Sequence, residues 1–324
     1  MERRQAFLMV LAASFLVLLI YLTAIPKETS EGKFPLRIFS RDVEIILTGD
    51  VMLGRTVMTK SLDSGEPTYP FEKVAGQLAE ADFVFVNLEN PIIENCPRTS
   101  TGLKFCADPK LTSGLKFAGV DVVTLANNHA LDYGKGGIEK TVEFLKEEGI
   151  EAVGLGNLVI KEKKGIRFGF LGFNFVSSGP KDEDFKLVSD SDEKVEVLIV
   201  GIHWGEEYQD KANKFQREWA KKLVEVGADV IVGHHPHWVQ DVEYIKKPVY
   251  AEGASSPSVS EDTKYDEYAV AYYSLGNFIF DQMWSKKTRE GLIIKLTFRD
   301  GRLISEEKLP IYMSSWAQPE FVEK

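Results

Sequence analysis

The sequence predicts an α/β fold, and three observations carry that prediction. Helix-like segments alternate with apolar runs, those runs are continuous, and each ends in a cluster of polar side chains. Continuous apolar runs suit strands covered on both faces. Helix–strand alternation places a ligand site at the carboxyl ends of the strands.

The elements follow in order. In FEKVAGQLAE, Phe71, Val74 and Leu78 recur at helical spacing, and the strand ADFVFVNLEN after it ends in Asn87, Glu89 and Asn90. LTSGLKFAG leads into VDVVTLANNH, which ends in Asn127, Asn128 and His129. In KFQREWAKKLVEVG, Phe215, Trp219, Leu223 and Val226 share a face, Gly227 marks the stop, and ADVIVGHHPH follows. Two more strands, EIILTGD and KVEVLIVGIHWGEE, deliver Asp50 and His203 without that lead-in. VAYYSLGNFIFDQ reads as β structure, and GLIIKLTFRDGRLISEEKL as a hairpin turning at Asp300 and Gly301. Residues 311–324 carry no pattern and are set apart as a C-terminal tail.

Composition narrows the class. With 44% hydrophobic and 27% charged residues, the 324-residue chain is ordinary globular material able to bury a core. Its formal charge of -10 argues against nucleic acid as a partner, since phosphate binding needs a basic face.

The N-terminus predicts a membrane segment. Residues 1–5 include Arg3 and Arg4, and Ala6 to Ile25 follow without a charge. Twenty residues at about 1.5 Å each match a bilayer core. The flanking arginines then leave residues 1–5 in the cytoplasm, residues 6–25 as a single-pass signal anchor, and the main domain outside the cell. A cleaved signal peptide competes, although no small-x-small site precedes Pro26. Residues 26–42 read as a polar tether and residues 43–310 as one domain. Cys96 and Cys106 flank a short polar loop and, outside the cell, are expected to form a disulfide contributing roughly 3 kcal/mol. Two metal-binding thiolates are the alternative.

Five strand ends thus bring Asp50, Glu89, Asn128 with His129, His203, and His235 with His237 to one edge of a sheet. Carboxylates, an amide and imidazoles form a mixed O/N donor set that suits divalent Mn, Fe or Zn better than a thiolate-selective metal. His234 is assigned a structural role, because directly after a strand its side chain should point away from its neighbours. Neither a Gly-x-Ser-x-Gly elbow nor a Walker loop occurs.

The ordered blocks GDVML, NLENP, LANNHALDYG, IHWGEEY, GHHPHWVQ and SLGNFIFD resemble the CapA/PgsA family of poly-γ-glutamate capsule biosynthesis proteins. The resemblance spans about Val43 to Asp281. It implies a calcineurin-like metallophosphatase fold, an αββα sandwich of two stacked mixed β-sheets flanked by helices, here preceded by one transmembrane helix. It also implies metal-ligand roles for Asp50, Glu89 as the bridging carboxylate, Asn128, His203, His235 and His237, with His129 as the acid or substrate-contacting histidine. Asp132 and Tyr133 would orient His129, with a helix cap at Asp132 the alternative. Arg55 and Lys104 would meet an anionic substrate or stand as solvated charges. Asn277 and Asp281 match a block without an evident task. Position 52, where a two-metal phosphatase carries a further ligand, is Met52. One metal position therefore keeps Glu89, Asn128, His203 and His235, while its neighbour keeps only Asp50, Glu89 and His237, which predicts one firm site and one weak one. Two functions stay open. One is a membrane-anchored accessory protein working with polyglutamate synthase and export membrane subunits and the anionic polymer. The other is a stand-alone metal-dependent hydrolase, a phosphoesterase or polyglutamate amide hydrolase.

Overall fold

Two mixed β-sheets stack face to face in the structure, a computed structural model that describes residues 42–248, 265 and 267–322. The proposed membrane segment 6–25 and nearly all of the tether lie outside the described residues. The first sheet contains β1 (Val43–Val51), β2 (Phe83–Leu88), β3 (Val122–Thr124), β4 (Glu151–Val153), β11 (Asn277–Ile279), β12 (Glu290–Arg299), β13 (Arg302–Ser315) and β14 (Gln318–Phe321). Its order is β14-β13-β12-β1-β2-β3-β4, and β11 pairs with the end of β1. The second sheet is formed by β5 (Val159–Lys163), β6 (Ile166–Asn174), β7 (Val197–His203), β8 (Val230–His234), β9 (Val242–Lys246) and β10 (Tyr268–Tyr272), in the order β5-β6-β7-β8-β10-β9. The four strands β1 to β4 run parallel, as do β6, β7, β8 and β10.

Apolar side chains alternate between two destinations. Ile45, Leu47, Phe83 and Phe85 of the first sheet meet Phe168, Phe170, Ile199 and Val232 of the second, with Phe85 and Phe170 stacked at 5.8 Å. The opposite faces bury Ile46 and Val84 under helices carrying Val57, Met58 and Leu115, and Leu198, Val200 and Ile231 under helices carrying Val188, Ala220 and Leu223. The layers are helix, sheet, sheet, helix.

Some local readings shift. Phe71 closes a short 3-10 turn, and only Ala75–Leu78 is helical in that segment. Helix Lys214–Glu225 buries Gln216, Ala220, Leu223 and Val224 instead of the larger aromatic face. Phe215 stays half exposed, stacked on Trp219 at 5.9 Å. The hairpin turns where expected, with φ of 50° at Asp300 and 80° at Gly301. Residues beyond 310 continue β13 and add β14, and Ile311, Met313 and Ala317 pack into the first sheet's outer core. That segment is illegible in sequence because its buried positions are few and interrupted by proline and polar residues.

One charge placement costs stability. Asp192, at the end of helix Asp182–Asp192, is pushed up to about 6 by burial and by the nearby Asp229 carboxylate. Between the ordinary carboxylate value and 6 the folded chain binds a proton that the unfolded chain has lost, so stability falls as pH rises through that window and stays lower above it. Asp192→Asn is expected to raise the melting temperature at pH 7.5 by about 2–4 °C, roughly 1 kcal/mol after discounting for solvent screening. The gain should vanish near pH 4. Calorimetric midpoints that match wild type at both pH values would contradict this.

Candidate metal centre

The polar strand ends of both sheets meet at one edge of their interface. Alternation along β7 turns Ile199 and His203 inward, and along β8 it does the same for Val230, Val232 and His234. The two strands pair with His203 opposite His234. On β2, Phe83 and Phe85 face inward, so Asn87 and then Glu89 follow on that side. β1 keeps its parity only to Leu47. A register shift between Leu47 and Asp50 then turns Asp50 inward, opposite Asn87.

Asp50 is fully buried and surrounded by donors. Its Oδ1 accepts from Asn87 Nδ2 at 2.9 Å and faces His234 Nδ1 at 3.0 Å. Its Oδ2 accepts from the His235 backbone N–H at 3.2 Å and faces His237 Nδ1 at 3.2 Å. Burial pushes this carboxyl up, but the His234 and His237 contacts together outweigh burial and hold it well below the usual carboxylate range. Glu89 is the opposite case. Burial and then the Asp50 charge hold it well above that range. Its Oε1 accepts from Asn87 Nδ2 at 3.1 Å, while Oε2 is buried with no hydrogen-bond partner among the described residues.

His203 Nε2 and Asn128 Oδ1 lie 2.8 Å apart, and the His203 and His235 rings are 4.8 Å apart. Burial first, then His235, depresses His203 well below the ordinary histidine value. Burial and His237 bring His235 down to about 4. Both rings are therefore neutral near pH 7, the form that ligates metal. His235 and His237 adopt φ of 96° and 57°, and with Arg55 and Tyr208 they make up four of the eight non-glycine residues with positive φ among the described residues. Strain concentrated in this way is a mark of functional sites.

The remaining assignments divide. His129 Nδ1 lies 3.0 Å from Asp132 Oδ2, and its ring stacks on Phe105 at 4.0 Å. Asp132 thus orients His129 and does not cap the helix, which begins at Gly134 after Tyr133. Tyr133 instead lies under the Lys104 ammonium, 4.2 Å from its ring centre. Arg55 is no open anion site: its guanidinium forms a two-pronged pair with Asp281 and also donates to Gly102 O at 2.8 Å. Asp281 thereby gains its task, and so does Asn277, whose Oδ1 lies 2.9 Å from His237 Nδ1 and fixes that ring. Cys96 and Cys106 are bonded, with their Cα atoms 5.8 Å apart, and the loop they close carries Gly102, Lys104 and Phe105 to the site. Met52 is buried in the outer core and faces the Gly54 N–H at 3.1 Å, away from the centre.

Three participants escape sequence reasoning. His234, expected to point away, turns inward onto Asp50. Its parity with Val230 and Val232 is the signal that finds it. Asn87 donates to both Asp50 and Glu89 and lies 3.3 Å from His203 Nδ1. Glu207, exposed in the loop after β7, is close enough for its charge to oppose the burial that lowers His129 and His235 and to add to the burial and Asp50 charge that raise Glu89.

Asp50, Glu89 and His203 each offer a ligand atom within 4.8 Å of the others. Glu89 Oε2 and His234 Nε2, both without a hydrogen-bond partner among the described residues, are buried atoms of the kind a cation satisfies. With carboxylate, imidazole and amide donors together, these residues fit a divalent metal. A cavity of about 700 Å³, lined by Trp238, Lys287, Leu292, Ile311 and Phe321, shares none of these residues.

The profile of the family described as "Bacterial capsule synthesis protein PGA_cap" matches residues 44–282. The chain belongs to this family. It is similar to "Capsule biosynthesis protein CapA" of Bacillus anthracis, 28% identical over 91% of this chain and 74% of that one. It is equally similar to "PGA biosynthesis protein CapA" of Bacillus subtilis (strain 168), 28% identical over 87% of this chain and 73% of that one. Among solved structures, a hypothetical protein from Thermus thermophilus superposes with a TM-score of 0.50 at 13% identity, covering 83% of this chain and 98% of that one, which is a likeness of fold alone.

Proposed function

We propose that this protein acts in poly-γ-glutamate capsule synthesis or export as a membrane-anchored, extracytoplasmic protein with a metallophosphatase-like divalent-metal centre. Family membership and the two relatives' names support the polymer. The uncharged run Ala6–Ile25 behind Arg3 and Arg4 supports the anchor, and the disulfide suits an oxidising exterior. Synthase and export membrane subunits are the partners that this reading implies.

One observation carries the metal centre: Glu89 Oε2, buried and partnerless, on the residue that also faces His203. Glu89, Asn128, His203 and His235 would hold the cation. When bound it would supply Lewis acidity and a positive contact for the anionic groups of the polymer. The chain's own residues perform the rest. Asp50 holds the turn bearing His235 and His237 by accepting from both. Asn277 fixes the His237 ring. Asp132 holds the proton on His129 Nδ1, which leaves Nε2 to take or give one. That oriented histidine favours a second reading, hydrolysis of a phosphoester or of the polymer's amide bonds.

The test uses the purified full-length protein, assayed for bound Mn, Fe and Zn by elemental analysis. His235→Ala is expected to lower metal content at least tenfold. Unchanged content in the variant would remove His235 from the centre, and a metal-free wild type after supplementation would end the metal reading. Metal-dependent turnover of polyglutamate or phosphodiester, lost in His129→Ala, would select the hydrolase.

A further inference from the structure

Asn87 stands where the two buried carboxylates approach each other. Its Nδ2 lies 2.9 Å from Asp50 Oδ1, 3.1 Å from Glu89 Oε1 and 3.3 Å from His203 Nδ1. The amide cannot rotate freely, because its Oδ1 accepts from Asn127 Nδ2 at 3.1 Å, and Asn127 is itself pinned to Leu88 O at 2.8 Å. An amide NH₂ has two protons, and here they face the two carboxylate oxygens. Two carboxylate oxygens converging on one point are what ordinarily surround a cation.

Asp50 supplies an independent observation. A carboxylate has about four lone-pair sites, and Asp50 meets four nitrogens: Asn87 and His234 on Oδ1, the His235 backbone and His237 on Oδ2. Its accepting capacity is used. The donor atoms that Asn87 leaves untouched are Glu89 Oε2, His203 Nε2 and Asn128 Oδ1. The last two already lie 2.8 Å apart, beside the His235 ring.

We infer that the Asn87 amide stands in for a second cation, so that the centre holds one metal where a paired centre would hold two. The polarised NH₂ draws Asp50 and Glu89 together without a full charge, and Asp50 serves as the anchor of the histidine turn instead of as a ligand. The inference rests on the metal centre proposed above and specifies its stoichiometry. It also accounts for Met52: a position with no second ion to bind needs no ligand there.

Isothermal titration of the metal-stripped full-length protein with manganese(II), together with elemental analysis, tests this. Wild type is expected to take up one equivalent. Asn87→Asp replaces the donor by an acceptor and is expected to take up two, the second at least tenfold tighter than any second equivalent on wild type. Asn87→Ser, which removes the amide without adding a charge, guards against misfolding of the aspartate variant and should also show a second, weaker equivalent. Two equivalents on wild type, or one on both folded variants, would overturn the inference and leave the metal centre standing. No uptake by wild type would overturn both.

Discussion

Gly233→Ala is expected to lower the melting temperature by about 6–12 °C, from a loss of roughly 3 kcal/mol. A Cβ there would lie 2.0 Å from Tyr273 O and 2.5 Å from Trp204 Nε1. These are the two partners of a 2.9 Å hydrogen bond that passes over the glycine. One is backbone and the other a fully buried indole, so neither can give way. Gly49 repeats the situation in the first sheet, where the added carbon would meet Gly276 O at 2.0 Å. Each glycine immediately precedes a buried site residue, His234 or Asp50, and lets the neighbouring chain pass at backbone distance. Gly136, inside helix Gly134–Glu147 with nothing within 4 Å of an added Cβ, is the control. There alanine should stabilise by roughly 0.5–1 kcal/mol. Thermal melts of the three variants decide the matter, and a Gly233→Ala midpoint within about 2 °C of wild type would show that the strands have slack.

Glu89→Gln is expected to act in opposite directions with and without metal. In chelator the variant should be more stable by about 1–3 kcal/mol, because it replaces a buried, half-partnered carboxylate beside Asp50 by a neutral group of the same shape. The sign follows from the raised Glu89 pKa. The folded chain retains a proton that the unfolded chain loses above the ordinary glutamate value, so wild type loses stability as pH rises. The advantage of glutamine should therefore be larger at pH 8 than at pH 5. With manganese(II) at about 100 times its dissociation constant, wild type should gain about 2.7 kcal/mol and the variant almost nothing. Melts in chelator and in metal at both pH values give all four comparisons. A variant less stable than wild type in chelator at pH 8 would refute the argument.

Much of this centre is legible because strand ends deliver side chains with a period of two. Once His203 and Glu89 are assigned to buried strand ends, their convergence follows from an α/β layering. What sequence hides is of three kinds. A bulge, like the one between Leu47 and Asp50, changes parity without a compositional mark. Long-range partners, such as Arg55 and Asp281, are separated by 226 residues, so an apparently available cation proves to be occupied. Finally, a residue such as Asn87 acts through its neighbours, and an amide at a strand end carries no signature of the acceptors that surround it. Residues 311–321 escape because the end of β13 and the short edge strand β14 bury too few positions for alternation to stand out.

The Cys96–Cys106 bridge has a consequence for the firmness of the wall behind His129. The loop it closes supplies the Phe105 face under His129 and the Gly102 carbonyl that steadies Arg55. A sandwich can assemble from its apolar strands while those thiols are still reduced, but the wall behind His129 is then held by a slack tether. Reduction of the bridge is therefore expected to loosen Phe105 beneath His129 while the two sheets keep their own cores.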